Sequence, residues 1–192
     1  MKELFANIYQ HNLWGGRESR SGSGSDLVET AKIIDGLSKF LLDNKVGSML
    51  DVPCGDFNWM PKVLDKVPDL SYIGGDIVPQ AIRDNMAKRL ELDFRVMDLT
   101  VDPLPQVELI FVRDCLGHLS NENIARSIEN IKIANPKYLA ATHWPEYKSV
   151  DIVDGGWQPI NMDQYLDDSF KLVDELEEYF DGKKIGIWEI IK

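Results

Sequence analysis

Cysteine is scarce in this chain of 192 residues: it has two, Cys54 and Cys115. Two thiols supply neither a disulfide framework nor a zinc-ligand spacing. Basic residues are also few, 21 Lys and Arg against 32 Asp and Glu, and the net charge is −11. A surface of that sign repels phosphate backbones. The one dense basic pair is Arg17 with Arg20, so nucleic acid ranks below small molecules as a partner. No run approaches the roughly 18 apolar residues that a membrane span needs. The opening MKELFANIYQHNLW lacks the basic start and apolar stretch of a secretory leader. A cytoplasmic protein without a membrane partner is therefore expected. No repeat of solenoid length is visible, and nothing in the sequence signals an oligomeric state.

What is present describes a folded domain. The chain is 44% hydrophobic and 28% charged, and its length suits one core better than two. One domain is expected, with a helical cap and loop over residues 1–45, a core over 46–145, and a loop and hairpin over 146–192. Leu4, Phe5, Ile8 and Tyr9 share a helical face. Residues 15–25, GGRESRSGSGS, contain no apolar side chain and read as a loop. Asp26 with Glu29 has the pattern of a capping box. Leu27, Ala31, Ile34 and Leu41 fall on one side of the helix that follows.

From Val46 onward the pattern alternates. SMLDV, LSYIGGDI, LDFRVMDL, VELIFVRD and YLAATHW have strand character. NWMPKVLDKV, VPQAIRDNMAKRL and NENIARSIENIKIA between them have helical character. Such alternation predicts right-handed crossovers and a doubly wound, mostly parallel α/β sheet covered on both faces. The connection LTVDPLPQ, with two prolines, is too short for a full helix. SFKLVDELEEYF reads as strand or helix, and KKIGIWEII as a final strand. Asp181-Gly182 favours a tight reversal, so an antiparallel C-terminal strand completes a seven-stranded sheet.

Chemistry concentrates at the strand ends. MLDVPCGDFNW runs from a strand ending in Asp51 into a turn with Gly55. In α/β sheets ligands sit outside the carboxyl ends of the strands, and glycine lets the backbone approach them. Asp76 ends the next strand, 21 residues beyond Gly55, close to the spacing of about 20 at which a carboxylate reaches ribose hydroxyls. Asp98 ends the third strand, and VRDCLGHLS follows the fourth. Three successive strands ending in aspartate are more specific than the glycine turn alone.

These residues resemble the class I S-adenosylmethionine-dependent methyltransferases over roughly positions 46–145. The resemblance implies a Rossmann-like fold and S-adenosyl-L-methionine as cofactor. It places Asp51, Pro53, Cys54 and Gly55 at the cofactor turn. Asp76 and Ile77 would meet the ribose, Asp98 and Leu99 the adenine, and Arg113 the cofactor from the fourth strand. The chain departs from the family at Pro53 and Phe57, where glycine is usual. Proline removes a donor and fixes φ, and phenylalanine adds bulk, so the turn is expected to hold the cofactor differently. The loop WGGRESRSGSGS is similar to a segment of some bacterial and viral members. In one reading Trp14 closes over the ligand while Arg17 or Arg20 forks onto the methionine carboxylate; in the other the loop is mobile surface.

His118 and Asp114 lie beyond the fourth strand, beside the expected methyl donor, and His143 ends the fifth. Any of the three is a candidate to take a proton from an oxygen or nitrogen acceptor. The cysteines are expected to be reduced, buried thiols. Residues 141–161 form a long aromatic and polar segment suited to binding a polar organic acceptor, such as a sugar or a peptide. The expected activity is methyl transfer to a small polar acceptor, with no metal. One alternative is a non-catalytic module of the same fold that binds S-adenosylmethionine or a partner. An NAD-dependent oxidoreductase ranks lower, because a full G-x-G-x-x-G pattern is missing.

Overall fold

The computed structural model describes residues 1–180 and 182–191. Two helices come first, α1 (Lys2–Gln10) and α2 (Leu27–Asp43). The sheet is built from β1 (Ser48–Asp51), β2 (Ser71–Asp76), β3 (Asp93–Val96), β4 (Leu109–Val112), β5 (Tyr138–His143), β6 (Phe170–Glu177) and β7 (Lys184–Ile190). Between its strands run α3 (Met60–Leu64), α4 (Pro79–Lys88) and α5 (Asn121–Ala134). Strand order is β3-β2-β1-β4-β5-β7-β6. The first five strands are parallel, and β7 is antiparallel to both β5 and β6. This is the doubly wound, mostly parallel seven-stranded α/β sheet that the alternating pattern predicts. The order reverses between β1 and β4, which opens a crevice at their carboxyl ends.

Side chains of adjacent residues on the central strands face opposite layers, as a period of two requires. Met49 and Phe111 join Ile33, Leu37 and Leu41 of α2 in one cluster. Leu50 and Ile110 join Ile124 and Ile131 of α5 in the other. All of these are at most 1% exposed, and each contributes about 1.5–3 kcal/mol by leaving water. The ambiguous SFKLVDELEEYF segment is strand β6, with a bulge between Leu172 and Asp174. Asp181 lies outside the described residues; Gly182 after it has φ +78.

Two local expectations are corrected. Leu27 and Ala31 of α2 face solvent. The buried stripe instead runs through Ile33, Ile34, Leu37, Phe40 and Leu41, because the packing of α2 on α3 and β6 sets its rotation. The Asp26 side chain makes no capping bond within α2. Leu27 N–H donates to Glu18 Oε2 at 2.9 Å, so the helix is capped from the preceding loop rather than by its own sequence.

Candidate active site

The turn after β1 folds around Gly55. Its φ is +55, and a Cβ there would lie 2.1 Å from Ser21 Oγ, so glycine is required twice over. Its N–H donates to Asp76 Oδ2 at 3.0 Å. Phe57 also adopts a positive φ, +59, a conformation costly for a side chain of its size. Its ring leaves the turn and packs against Tyr72 and Phe94, with centroids 5.4 and 5.1 Å away. The bulk expected to alter the turn thus fills the core, and Phe57 does not line the cavity described next.

A cavity of about 110 Å³ opens at the strand ends. Asp51, Pro53, Gly55, Asp76, Ile77 and Arg113 line it. Tyr72 OH donates to Asp51 Oδ2 at 2.8 Å. Burial pushes the Asp51 carboxyl up to about 7; the Tyr72 hydrogen bond opposes that, and neighbouring Asp76 adds to it. Asp76 accepts from Val78 N–H at 2.8 Å as well as from Gly55. Burial pushes Asp76 to about 6 against the pull of those two amides. Cys54 and Cys115 face the same cavity, and burial raises both thiols, so they are protonated. Asp98 and Leu99 line a smaller recess of about 40 Å³, which shares Phe5, Pro53, Ile77 and Cys115 with the first. Asp98 Oδ1 accepts from Thr100 N and Oγ1 at 2.9 and 2.6 Å, which fixes that turn.

The apolar-free loop is tied down over this turn. Ser19 Oγ and Arg20 N donate to Asp56 at 2.8 Å, and Asp56 N donates to Ser21 Oγ at 3.0 Å. Trp14 lies beside Phe5 and His118, with centroids 6.3 and 5.4 Å away. Arg20 is not brought to the cavity. Its backbone is held by Asp56, and its guanidinium lies over the ring of Tyr9, a residue that lines the cavity, 5.9 Å from the centroid.

A second cavity, about 350 Å³, meets the first at Trp14, Ser21, Asp114 and His118. Trp144, Trp157, Phe180 and Lys183 also line it. His118 Nδ1 lies 2.6 Å from the Gly156 carbonyl. A carbonyl only accepts, so Nδ1 carries the proton and Nε2 keeps its lone pair. Burial holds the imidazole below its usual range, and so neutral, against the Gly156 hydrogen bond and the charge of Asp114.

Asp114 sits at φ +50, held by its N–H to Thr142 Oγ1 at 2.8 Å. Lys183 Nζ and Arg113 Nη1 lie 2.8 and 3.3 Å from its Oδ2. Burial opposes its charge, but Arg113 and Lys183 overcome that and keep the carboxylate well below its usual range. The fork of Arg113 is occupied by Glu178, at 2.7 and 3.0 Å, and Nη2 also donates to Gly24 O at 2.8 Å. His143 lines neither cavity. It is 1% exposed, its Nδ1 accepts from Met162 N–H at 3.1 Å, and it packs edge-on against Trp188. The structure thus places it in the core rather than at the residues the two cavities share. Tyr72, Glu178 and Lys183 belong to the site although no spacing in the sequence singled them out.

Among the described residues no cluster of His, Cys, Asp or Glu is arranged to hold a metal, and no helix is long and apolar enough to cross a membrane. No family model and no curated protein sequence matches the chain. Solved structures match it in shape. PigF with SAH aligns over 97% of this chain and 62% of its own, at TM-score 0.69 and 17% identity. Magnesium protoporphyrin IX methyltransferase (ChlM) from Synechocystis PCC 6803, with bound SAM, aligns over 86% and 81%, at 0.64 and 14%. Mitomycin 7-O-methyltransferase MmcR aligns over 89% and 55%, at 0.71 and 13%. The chain spans less than two thirds of PigF and of MmcR. The fold is that of the class I S-adenosylmethionine-dependent methyltransferases. At these identities the likeness is one of architecture.

Proposed function

We propose that the chain binds S-adenosylmethionine in the carboxylate-lined cavity and transfers its methyl group to an oxygen or nitrogen of a small polar acceptor in the adjoining one. The observation that carries this reading is that the two cavities meet at Trp14, Ser21, Asp114 and His118. Bound SAM and SAH in ChlM and PigF support the choice of cofactor. On this reading the chain is one methyltransferase-like domain, in which residues 1–45 cover the cofactor and 146–192 supply the acceptor side.

The residues fit the group. Asp51 and Asp76 are buried side by side and raised by that burial, so they favour a ligand that brings hydroxyl donors and positive charge. Each oxygen of Asp76 retains a lone pair after its backbone bond and would hold a ribose hydroxyl; Asp51 would hold the α-ammonium. The recess beside Met97, Asp98 and Leu99 suits adenine. When bound, the cofactor supplies a methyl carbon made electrophilic by its sulfonium. His118 Nε2 takes the acceptor's proton, and the Asp114 carboxylate stabilises the imidazolium that results. Trp14 and the latched loop exclude water and fix the approach, an effect worth about 7–11 kcal/mol when alignment is good.

Asp76→Ala is expected to weaken S-adenosylmethionine binding about 100-fold, the scale of two lost charge-assisted hydrogen bonds. Calorimetric titration measures this, with circular dichroism as the check on folding; equal affinity in variant and wild type would refute the ribose assignment. His118→Ala is expected to lower kcat by about 10²–10⁴ while cofactor affinity stays near the wild-type value. Because burial lowers the His118 pKa, wild-type turnover should persist to lower pH than an exposed imidazole allows. Unchanged kcat in the variant removes His118 from the mechanism.

A further inference from the structure

We propose that the acceptor is a sugar, bound as a pyranose ring in the larger cavity and methylated on a ring hydroxyl. This rests on the methyltransferase reading above and names its substrate class. The cavity is lined by two unlike kinds of group. Trp14, Trp144, Trp157 and Phe180 bring aromatic rings. Ser21, Gly22, Ser23 and Gly24 bring hydroxyls and backbone, with Trp14 lying against Gly22. A pyranose has the same mixture, with a C–H face that stacks on an indole and a rim of hydroxyls that needs polar partners. A phenol is apolar on both faces and would leave the serine and backbone groups unmatched.

The floor agrees. Asp114 and Lys183 are paired at 2.8 Å, so an acceptor and a donor stand together with their formal charges offset. Such a pair serves neighbouring hydroxyls and selects neither an anion nor a cation.

Trp157 is 63% exposed, yet the segment that carries it is fixed. Asp154 accepts from Ser120 N at 2.8 Å and Asn123 Nδ2 at 2.7 Å. Gly155 N donates to His118 O at 2.8 Å, and Gln158 N donates to Gly117 O at 2.9 Å. An indole held in water on an anchored segment is preorganised to stack. Gly156, the residue before it, supplies the carbonyl that orients His118. The same short segment therefore sets both the sugar wall and the base.

In the reaction the sugar O–H gives its proton to His118 Nε2, and the oxygen lone pair forms the bond to the methyl carbon. The carbon–sulfur bond breaks with its electron pair remaining on sulfur. The products are a methyl ether, a neutral thioether and protonated His118, which returns its proton to solvent.

The test uses the full chain with SAH bound, its affinity first measured by calorimetry. Saturation-transfer NMR is run with methyl α-D-glucopyranoside, methyl α-D-galactopyranoside, methyl α-D-mannopyranoside and catechol. The same four compounds are then incubated with S-adenosylmethionine, and methyl ethers are sought by mass spectrometry. The expected result is transfer to, and turnover of, at least one pyranoside. In Trp157→Ala both should fall about tenfold, the scale of one lost aromatic anchor, with SAH affinity unchanged. Turnover of catechol alone, or silence from all three pyranosides with SAH bound, overturns the sugar assignment, pyranoside turnover indifferent to Trp157→Ala overturns the seating of the ring on Trp157, and all three leave the methyltransferase reading standing. Failure of SAH to bind the wild type overturns that underlying reading instead.

Discussion

Glu178→Ala is expected to destabilise the folded chain by about 3–5 kcal/mol, the cost of removing one partner from a buried ion network. The side chains of Glu178, Arg113 and Lys183 are 0, 4 and 5% exposed. Glu178 accepts both arms of the Arg113 fork, and its Oε1 lies 3.6 Å from Lys183 Nζ. Without it two buried cations share the single carboxylate of Asp114. Glu178→Gln keeps an acceptor but loses the charge, so it should fall between wild type and alanine. Urea unfolding measures both; a loss below about 1 kcal/mol for alanine, the size of an exposed pair, would mean that the network does not hold the hairpin. The effect should also reach the cofactor side, because Arg113 anchors the loop through Gly24 O. A faster loss of bound SAH from Glu178→Gln, seen by stopped-flow, is the expected sign.

That network marks where sequence reasoning stops. Alternation of apolar runs determined the sheet, because strands covered on both faces cannot be written in polar residues. Asp51 and Asp76 were legible for a related reason: each closes an apolar run, where a parallel sheet exposes its ligand side. Glu178 and Arg113 are 65 positions apart, and no local period connects them. The two histidines carry a similar sequence signal, one at the end of a strand and one shortly beyond a strand. What separates them is nonlocal: Met162 N–H engages His143, whereas Gly156 O engages Nδ1 of His118, which lines both cavities, and leaves Nε2 with its lone pair. Capping failed similarly, since Glu29 has the right spacing but Glu18 arrives from the loop. Arg20 is of the right type for a carboxylate, but Asp56 holds its backbone so that the side chain lies over Tyr9. Phe57 misled because bulk at a glycine position reads as obstruction, while the backbone turns that bulk inward.

Asp51→Asn is expected to stabilise the ligand-free chain at pH 8 and to weaken its hold on S-adenosylmethionine. In the folded chain Asp51 is raised from the ordinary 3.8 to about 7, so the unfolded chain gives up this proton at lower pH than the folded one. The stability that comes from keeping the carboxyl neutral is fully present below about pH 4. It is lost as pH rises through about 7, and Asp76, raised to about 6, adds a loss of the same sign. At about 1.4 kcal/mol per pH unit, the distance from 3.8 to about 7 sets a ceiling of about 4 kcal/mol on what asparagine recovers at pH 8. Asparagine keeps an oxygen for the Tyr72 hydroxyl, so that hydrogen bond need not be lost. Binding runs the other way. A ligand carrying ammonium and sulfonium charge selects the ionised carboxylates, so wild-type affinity should fall as pH drops below about 7, and binding between about pH 6 and 7 should release protons. Calorimetry in buffers of different ionisation enthalpy measures that release. An Asp51→Asn chain that binds S-adenosylmethionine as tightly as wild type would show that the carboxylate is not reserved for the cofactor, and one that melts at lower temperature at pH 8 would show that burial does not strain it.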